Sequence, residues 1–131
     1  MNAPRPITGN IAIVDDDEPL REALGSVLKA AGFSTAAFSS AEDFLGSADW
    51  QSTGCVLLDV RLPGMSGVEL HRHLVDAHSD IPVIFVTAHG DAALREVVLN
   101  AGASAFLNKP VRSDVLLREI RTAAAKASSN S

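Results

Sequence analysis

The chain has 131 residues, of which 47% are hydrophobic and 21% charged, a balance typical of one globular domain. A net charge of −5 excludes the basic excess of a stand-alone nucleic-acid binder, and a single cysteine, Cys55, excludes an internal disulfide framework. The longest apolar stretch, Ile81 to Ala88, is too short to span a bilayer, and residues 1–10 lack a signal-peptide core, so we expect a cytoplasmic protein without membrane contact.

Short apolar runs predict the β-strands, because runs of this length bounded by turn residues are typical of buried strands. In chain order, the predicted strands are Asn10–Val14, Ser34–Phe38, Cys55–Leu58, Pro82–Val86 and Ser104–Leu107. The fourth run is the richest in valine, isoleucine and phenylalanine, which favours a strand buried on both faces.

Helical patterns lie between and after these strands. Apolar residues recur at helical spacing from Leu20 to Ala31, and Gly32 follows as a helix-ending residue. Two segments have the form of a capping box and predict the starts of the second and third helices: Ser39-Ser40-Ala41-Glu42 and Ser66-Gly67-Val68-Glu69. A fourth helix is predicted over Asp91–Ala101, and a fifth carries the stripe Leu116, Ile120, Ala123, Ala124 and Ala127.

This strict alternation of strands and helices predicts an α/β fold, a five-stranded parallel sheet doubly wound with five helices. We assign the strand order 2-1-3-4-5 by analogy with flavodoxin-like folds, and length alone leaves a Rossmann-like order open. Residues 10–127 form the predicted domain, preceded by an N-terminal extension at 1–9 and followed by a polar tail at 128–131.

Chemically active side chains follow the predicted strands. Asp15 and Asp16 follow the first strand, Asp59 the third, Thr87 the fourth and Lys109 the fifth. Since ligands of such sheets bind beyond the carboxyl ends of the strands, these side chains should meet at one edge. Carboxylates held together repel each other without a cation, and oxygen ligands favour Mg²⁺ or Mn²⁺. The sequence therefore predicts a divalent cation site shared with phosphate oxygens.

These strand-end motifs, in this order, resemble the receiver domains of two-component response regulators, the CheY-like superfamily. The resemblance runs from about Asn10 to Ala125 and rests on the segments Val14-Asp15-Asp16, Asp59-Val60-Arg61-Leu62-Pro63-Gly64-Met65-Ser66-Gly67, Val86-Thr87-Ala88 and Lys109-Pro110. The stretches Met65–Leu70 and His89-Gly90-Asp91 are most similar to the FixJ-type receivers.

The resemblance implies a phosphoacceptor and its metal ligands. Asp59 matches the aspartate that takes a phosphoryl group from the phosphohistidine of a sensor histidine kinase. Asp15, Asp16 and Asp59 match the Mg²⁺-binding carboxylates, and the backbone carbonyl of Arg61 matches a further ligand. The chain is then a signalling domain, not an enzyme, and catalyses only its own phosphorylation and dephosphorylation.

The resemblance also implies a conformational switch. Thr87 matches the hydroxyl that turns toward the phosphoryl group, and Lys109 matches the ammonium that pairs with it, followed by a cis bond to proline. Phe106 matches the aromatic switch position, and we expect phosphorylation to bury it. Arg61 and His89 occupy positions that tune the lifetime of the phosphoryl group.

The expected output surface is the face Asp91–Ala125, through which the family pairs with a second copy or binds a target protein. On the fourth helix, Leu99 with Arg95 is the predicted contact patch, since the apolar residues there exceed one stripe. No direct nucleic-acid binding by this chain is expected. The sequence leaves open whether the chain is a single-domain regulator or part of a longer one with a DNA-binding domain.

Two other functions fit part of the pattern. A small Mg²⁺-dependent phosphatase of the haloacid-dehalogenase type would use Asp15-x-Asp17, with its nucleophile after the first strand instead of the third. A flavodoxin-like electron carrier would need a phosphate loop where Asp15, Asp16 and Asp17 stand. His71, His73 and His78 on the third helix are interpreted as a solvated face and not as metal ligands.

Overall fold

The computed structural model describes residues 9–129, with side chains through Lys126. Strands and helices alternate along this part of the chain, with one 3₁₀ turn at Trp50–Ser52. The strands are β1 Ile11–Val14, β2 Thr35–Phe38, β3 Cys55–Leu58, β4 Val83–Thr87 and β5 Ala105–Asn108. The helices are α1 Glu18–Ala30, α2 Ala41–Gly46, α3 Gly67–Asp76, α4 Ala92–Asn100 and α5 Ser113–Ser129.

The sheet has five strands in the order β2-β1-β3-β4-β5, and all the pairs are parallel. The predicted fold and strand order are therefore confirmed. The central strands β1, β3 and β4 are buried at every position, which explains why their sequences are continuous apolar runs without alternation.

Two hydrophobic clusters cover the two faces of the sheet. Alternate strand residues point to opposite faces, so Ile11 and Ile13 pack on one side while Ala12 and Val14 pack on the other. The first side is covered from α1 and α5 by Leu24, Leu28, Leu116, Ile120 and Ala123. The second side is covered from α2, α3 and α4 by Ala41, Phe44, Leu70, Leu74 and Val98. The helices thus anchor both faces of the strands that end at the candidate site.

The helix starts differ in one place from the prediction. Ser66 and Glu69 form the predicted reciprocal capping box at α3. At α2 the N-cap is Ser40, whose hydroxyl accepts from the Asp43 N–H, so the predicted Ser39–Glu42 box is wrong and Glu42 is not used as a cap. Asp17 caps α1 through its side chain.

Two further expectations about the helices change. Helix α5 continues to Ser129, into the segment predicted as a polar tail, and residues 1–8 and 130–131 lie outside the described residues. His71 is buried, only 5% exposed, and packs edge-on against Phe85, so its interpretation as part of a solvated face is wrong.

None of the helices within residues 9–129 is long and apolar enough to span a membrane.

Candidate functional site

The register of the sheet places two carboxylates side by side. Val14 of β1 pairs with Leu58 of β3, so the residues that follow them, Asp15 and Asp59, leave the sheet together. The Asp59 N–H donates to the Val14 carbonyl at 3.1 Å, which extends the ladder into the site. Asp15 and Asp59 are 3% and 5% exposed, so two acidic side chains are held largely out of water.

Lys109, which follows β5, supplies one positive charge to this pair. Its Nζ lies 2.9 Å from Asp15 Oδ2 and 3.2 Å from Asp59 Oδ2. The Lys109 backbone N–H donates to the Thr87 carbonyl at 2.9 Å, and the Lys109–Pro110 peptide bond is cis, as the resemblance implies. One ammonium therefore bonds both buried carboxylates.

The ionisation of these groups reflects that arrangement. Burial raises the pKa of the Asp15 carboxyl, although hydrogen bonds from Lys109 and from the Asp17 N–H act in the opposite direction. Burial also disfavours the charged form of Lys109, but the hydrogen bonds and charges of Asp15 and Asp59 outweigh it and raise the pKa of the ammonium. Lys109 therefore stays charged beside the carboxylates.

The third predicted carboxylate completes an acidic cluster. Asp15, Asp16 and Asp59 each offer a carboxylate oxygen, and these oxygens lie within 4.8 Å of one another. Asp16 is exposed, whereas the other two are buried, so the cluster opens to solvent on one side. Hard divalent cations prefer oxygen ligands and keep several waters, so the donor set and its opening fit Mg²⁺ or Mn²⁺.

The loop after Asp59 is packed closely against that residue. The Arg61 N–H lies 3.4 Å from Asp59 Oδ1, and the Gly67 N–H donates to the Val60 carbonyl at 2.9 Å. A Cβ atom at residue 67 would overlap the Asp59 carbonyl oxygen, so α3 begins as close to the site as glycine alone permits. The Arg61 backbone thus lies beside Asp59 and its side chain is exposed, while the roles expected of Arg61 stay predictions.

The predicted switch residues lie on the neighbouring strands. Thr87 is fully buried, and its Oγ1 accepts from the His89 N–H at 3.1 Å, while the His89 side chain is exposed. Phe106 is 7% exposed and packs against Phe85 with ring centroids 6.1 Å apart. A Cβ atom at Gly90 would overlap the Phe106 ring. The ring is already buried in this structure, which leaves little exposed surface for phosphorylation to bury.

The predicted contact patch on α4 also changes. Leu99 is half-buried and packs against the cluster around Val98, so it is not a surplus apolar residue. Val97 is 59% exposed, and Arg95 is exposed on the same helix. The exposed apolar residue of the patch is therefore Val97 and not Leu99, while Arg95 is accessible as predicted.

Two residues near the site were missed from the sequence. The Arg21 guanidinium of α1 donates to the Asp15 carbonyl at 2.7 Å, and Glu42 Oε2 of α2 accepts from the Met65 N–H at 2.8 Å. In the sequence, Glu42 fits a local capping box with Ser39, and that pattern gives no sign of its contact with Met65. For Arg21 the sequence carried no signal, because its acceptor is a backbone carbonyl.

The fold and the site together define a class of protein. A doubly wound sheet of this order, with clustered aspartates and a paired lysine at its carboxyl edge, is an α/β domain whose polar site lies where ligands of such sheets bind. The family model for the response regulator receiver domain matches residues 11–121. The chain belongs to that family, the receiver domains of two-component response regulators.

Known relatives support this assignment. The chain is 43% identical over 113 residues to the response regulator protein TmoT of Ectopseudomonas mendocina, a match that covers 86% of this chain and 51% of TmoT. It is 38% identical over 119 residues to the transcriptional regulatory protein FixJ of Bradyrhizobium diazoefficiens, covering 91% of this chain and 58% of FixJ. The chain thus spans between half and three-fifths of the length of these relatives, and the predicted FixJ-type receiver is confirmed.

A solved structure gives the same result. The CheY-like receiver domain protein from Methanospirillum hungatei is 27% identical and superposes with a TM-score of 0.86, covering 95% of this chain and 99% of that one. The phosphatase alternative finds no support among these comparisons.

Proposed function

We propose that this receiver domain is a phosphorylation-controlled switch whose phosphoacceptor is Asp59. The observation that carries the proposal is the environment of the two buried carboxylates. Both oxygens of Asp15 are engaged, one by Lys109 and one by the Asp17 N–H, each at 2.9 Å. Asp59 also meets Lys109, but its second oxygen has only the Arg61 N–H at 3.4 Å. Asp59 Oδ1 is therefore less tightly hydrogen-bonded than either carboxylate oxygen of Asp15.

The proposed step transfers one phosphoryl group. An Asp59 carboxylate oxygen attacks the phosphorus of a phosphohistidine on a sensor histidine kinase, and the P–O bond forms as the P–N bond breaks. The imidazole leaves with the electron pair and takes a proton from water. Lys109 lies within reach of Asp59 to neutralise charge on the transferred oxygens, and the Thr87 hydroxyl supplies a hydrogen bond after it leaves His89.

The acidic cluster has a defined part in this proposal. Asp15, Asp16 and Asp59 would hold Mg²⁺ or Mn²⁺ together with the backbone carbonyl of Arg61. The cation supplies positive charge that lets the anionic carboxylate and phosphoryl group approach each other. Arg61 and His89, whose side chains are exposed beside the site, tune the lifetime of the phosphoryl group.

The output follows from movement of the β4–α4 loop. When Thr87 turns from the His89 N–H toward the phosphoryl group, the loop loses a hydrogen bond that fixes it. Gly90 in this loop lies directly against the Phe106 ring, so the displacement reaches β5. The proposed output surface is the face Asp91–Ala125, which pairs with a second copy or binds a target protein.

The proposal also covers the bounds of the domain, its partner and its location. We assign the receiver domain to residues 10–127, with the extension 1–9 before it and the segment 128–131, which begins within the last turn of α5, after it. The proposed partner is a sensor histidine kinase, and the proposed location is the cytoplasm. The domain binds no nucleic acid itself.

Mass spectrometry after incubation with acetyl phosphate and Mg²⁺ tests the proposal. We expect the mass of one phosphoryl group to be added, and EDTA to prevent the addition. Asp59→Asn should abolish it, because an amide is a poor nucleophile. Asp17→Asn is the matched control, since asparagine caps a helix as well as aspartate does and should leave the addition unchanged. Equal modification of the Asp59→Asn variant would refute the assignment.

A further inference from the structure

Helix α2 is tied to the loop that follows Asp59 by one side chain. Glu42 Oε2 accepts from the Met65 N–H at 2.8 Å, a contact between residues 23 apart in the chain. Gly64 has a φ of +73°, and a Cβ atom there would overlap the Glu42 carboxylate. The carboxylate thus lies directly against two successive residues of the loop. Glycine at position 64 accommodates the positive φ, and a side chain there would have to displace the Glu42 carboxylate.

This contact forms the outer anchor of the loop. At its inner end the Arg61 N–H points at Asp59 Oδ1, and the Gly67 N–H donates to Val60. The side chains of Leu62 and Met65 also pack against the hydrophobic cluster around Phe44, but apolar contacts are non-directional and do not fix the orientation of a peptide group. The hydrogen bond from the Met65 N–H to Glu42 does fix that orientation, because its length and angle are restricted.

We infer that Glu42 is a positioning residue for the backbone carbonyl of Arg61 and, through it, for the divalent cation. Arg61 lies between the inner anchor at Asp59 and the outer anchor at Met65. The inference rests on the proposed function, in which that carbonyl is a cation ligand. Glu42 touches no reacting group, and its effect is to hold the loop in the orientation that cation binding needs. Groups that orient a ligand in this way affect metal affinity without binding the metal.

If Glu42 served only to stabilise helix α2, the charge of its side chain would matter and the length would not. Glu42 lies in the first turn of α2, where a negative charge stabilises the helix whatever its reach. Glu42→Asp keeps the charge but is one methylene shorter and cannot span the gap to Met65. Glu42→Gln keeps the length and an acceptor oxygen but loses the charge. The two substitutions therefore separate loop positioning from helix stabilisation.

Calorimetric titration with MgCl₂ alone tests the inference. For Glu42→Ala and Glu42→Asp we expect the Mg²⁺ dissociation constant to rise about tenfold, the lower end of the range for such outer residues, because Glu42 is exposed. Glu42→Gln should stay within about threefold of the wild type. Glu96→Ala, an exposed glutamate on α4, is the matched control and should not change the constant.

Two further readouts identify the mechanism. Hydrogen exchange at the Met65 amide should accelerate in the alanine and aspartate variants and stay slow in the glutamine variant. With acetyl phosphate, the Mg²⁺ concentration for half-maximal phosphorylation should rise in the same two variants, while the rate at saturating Mg²⁺ stays at the wild-type value. A role confined to helix α2 would not move either quantity.

The outcomes are separable. Wild-type Mg²⁺ affinity in both Glu42→Ala and Glu42→Asp overturns the inference and leaves the proposed function intact. Retention of affinity by Glu42→Asp with loss by Glu42→Gln also overturns it, in favour of helix stabilisation. Failure of the wild type to bind Mg²⁺ or to be phosphorylated overturns the proposed function itself. If Glu42→Ala does not fold in EDTA, the Mg²⁺ dissociation constants of Glu42→Asp and Glu42→Gln test the inference without it.

Discussion

Lys109 Nζ lies 2.9 Å from Asp15 Oδ2, so the side chain that follows the edge strand β5 reaches the one that follows β1, across the ends of β3 and β4. Asp59 follows β3 and meets the same ammonium at 3.2 Å. Lys109 is therefore a common counter-ion for the two buried carboxylates. We therefore expect the stability of the sheet edge and the proposed chemistry of the site to depend on the same three charges.

Replacement of Lys109 should destabilise the domain in the absence of cation. Lys109→Ala leaves Asp15 and Asp59 buried without their counter-ion, and we expect a loss of about 1–3 kcal/mol in the free energy of unfolding. Mg²⁺ should reverse part of the loss, since a cation can replace the ammonium. Urea denaturation in EDTA and in Mg²⁺ measures both effects.

The matched control is an ion pair of similar length at the surface. Arg112 and Asp114 lie 2.9 Å apart, with side chains 78% and 66% exposed. Arg112→Ala should change the stability by at most about 0.5 kcal/mol, because exposed pairs contribute little. Equal losses in the two variants would contradict the role given to Lys109.

Divalent cation should stabilise the domain through the acidic cluster. At a Mg²⁺ concentration one hundred times its dissociation constant, the gain in unfolding free energy is about 2.7 kcal/mol. Asp16→Asn should reduce this gain, because Asp16 is a member of the cluster, whereas Asp80→Asn, at an exposed loop position, should not. Thermal unfolding in EDTA and in excess Mg²⁺ gives the comparison. A melting temperature that does not respond to Mg²⁺ would count against the shared site.

Most of the fold was predictable from the sequence because its signals are local. Continuous apolar runs such as Cys55–Leu58 arise when a parallel strand is buried on both faces, and the observed bounds of that strand match the prediction. The strand-end rule also brings Asp15, Asp59 and Lys109 together, because parallel strands present their carboxyl ends at one edge, and the three side chains do meet there.

What the sequence could not show depends on contacts between distant residues or on helix phase. The Glu42–Met65 hydrogen bond joins two elements, and a glutamate after serine has an equally good local interpretation as a cap. On α4, Val97 and Leu99 are both apolar, and only the rotation of the helix against the sheet decides which is exposed. The burial of Phe106 depends on the neighbouring loop and on Phe85.

Two glycine substitutions should have opposite effects on stability. A Cβ atom at Gly67 would overlap the Asp59 carbonyl, so Gly67→Ala should destabilise the domain by about 1–3 kcal/mol and slow phosphorylation. At Gly25 in α1 nothing lies within 4 Å of the added Cβ, so Gly25→Ala should stabilise by about 1 kcal/mol. Chemical denaturation of both variants shows whether each substitution raises or lowers the free energy of unfolding. Stabilisation by Gly67→Ala would show that α3 can move away from Asp59 freely.

The stability of the domain should depend on pH through His71. Burial lowers the pKa of this imidazole, so below its ordinary value of about 6.5 the unfolded chain binds a proton that the folded chain does not. Stability linked to His71 is therefore complete above that value and is lost as the pH falls through it toward the lower pKa of the folded state. The wild type should lose more stability than His71→Gln between about pH 7.5 and about pH 5.5.

His73, exposed on the same helix, provides the control for this measurement. His73→Gln should follow the wild-type pH dependence in urea denaturation. If the His71→Gln and wild-type curves run parallel, the imidazole of His71 is not responsible for the loss.

Val97 should contribute to pairing through the face Asp91–Ala125. With beryllofluoride in place of the phosphoryl group, we expect light scattering to show a dimer. Val97→Glu, which puts a charge at an exposed apolar position, should weaken the dimer by at least about tenfold. Val75→Glu is the control, since Val75 is 45% exposed but lies on α3, outside this face. A chain that stays monomeric with beryllofluoride would exclude self-association.

The pairing of Val14 with Leu58 has a consequence for how this site tolerates change. Neighbouring strands lie about 4.8 Å apart in any sheet, and that spacing comes from main-chain hydrogen bonds and not from side-chain identity. The separation of Asp15 and Asp59 is therefore a property of the backbone ladder. Substitutions within β1 and β3 that keep the two faces packed can accumulate without disturbing it, whereas one inserted or deleted residue in either strand would dismantle the site while leaving every functional side chain present.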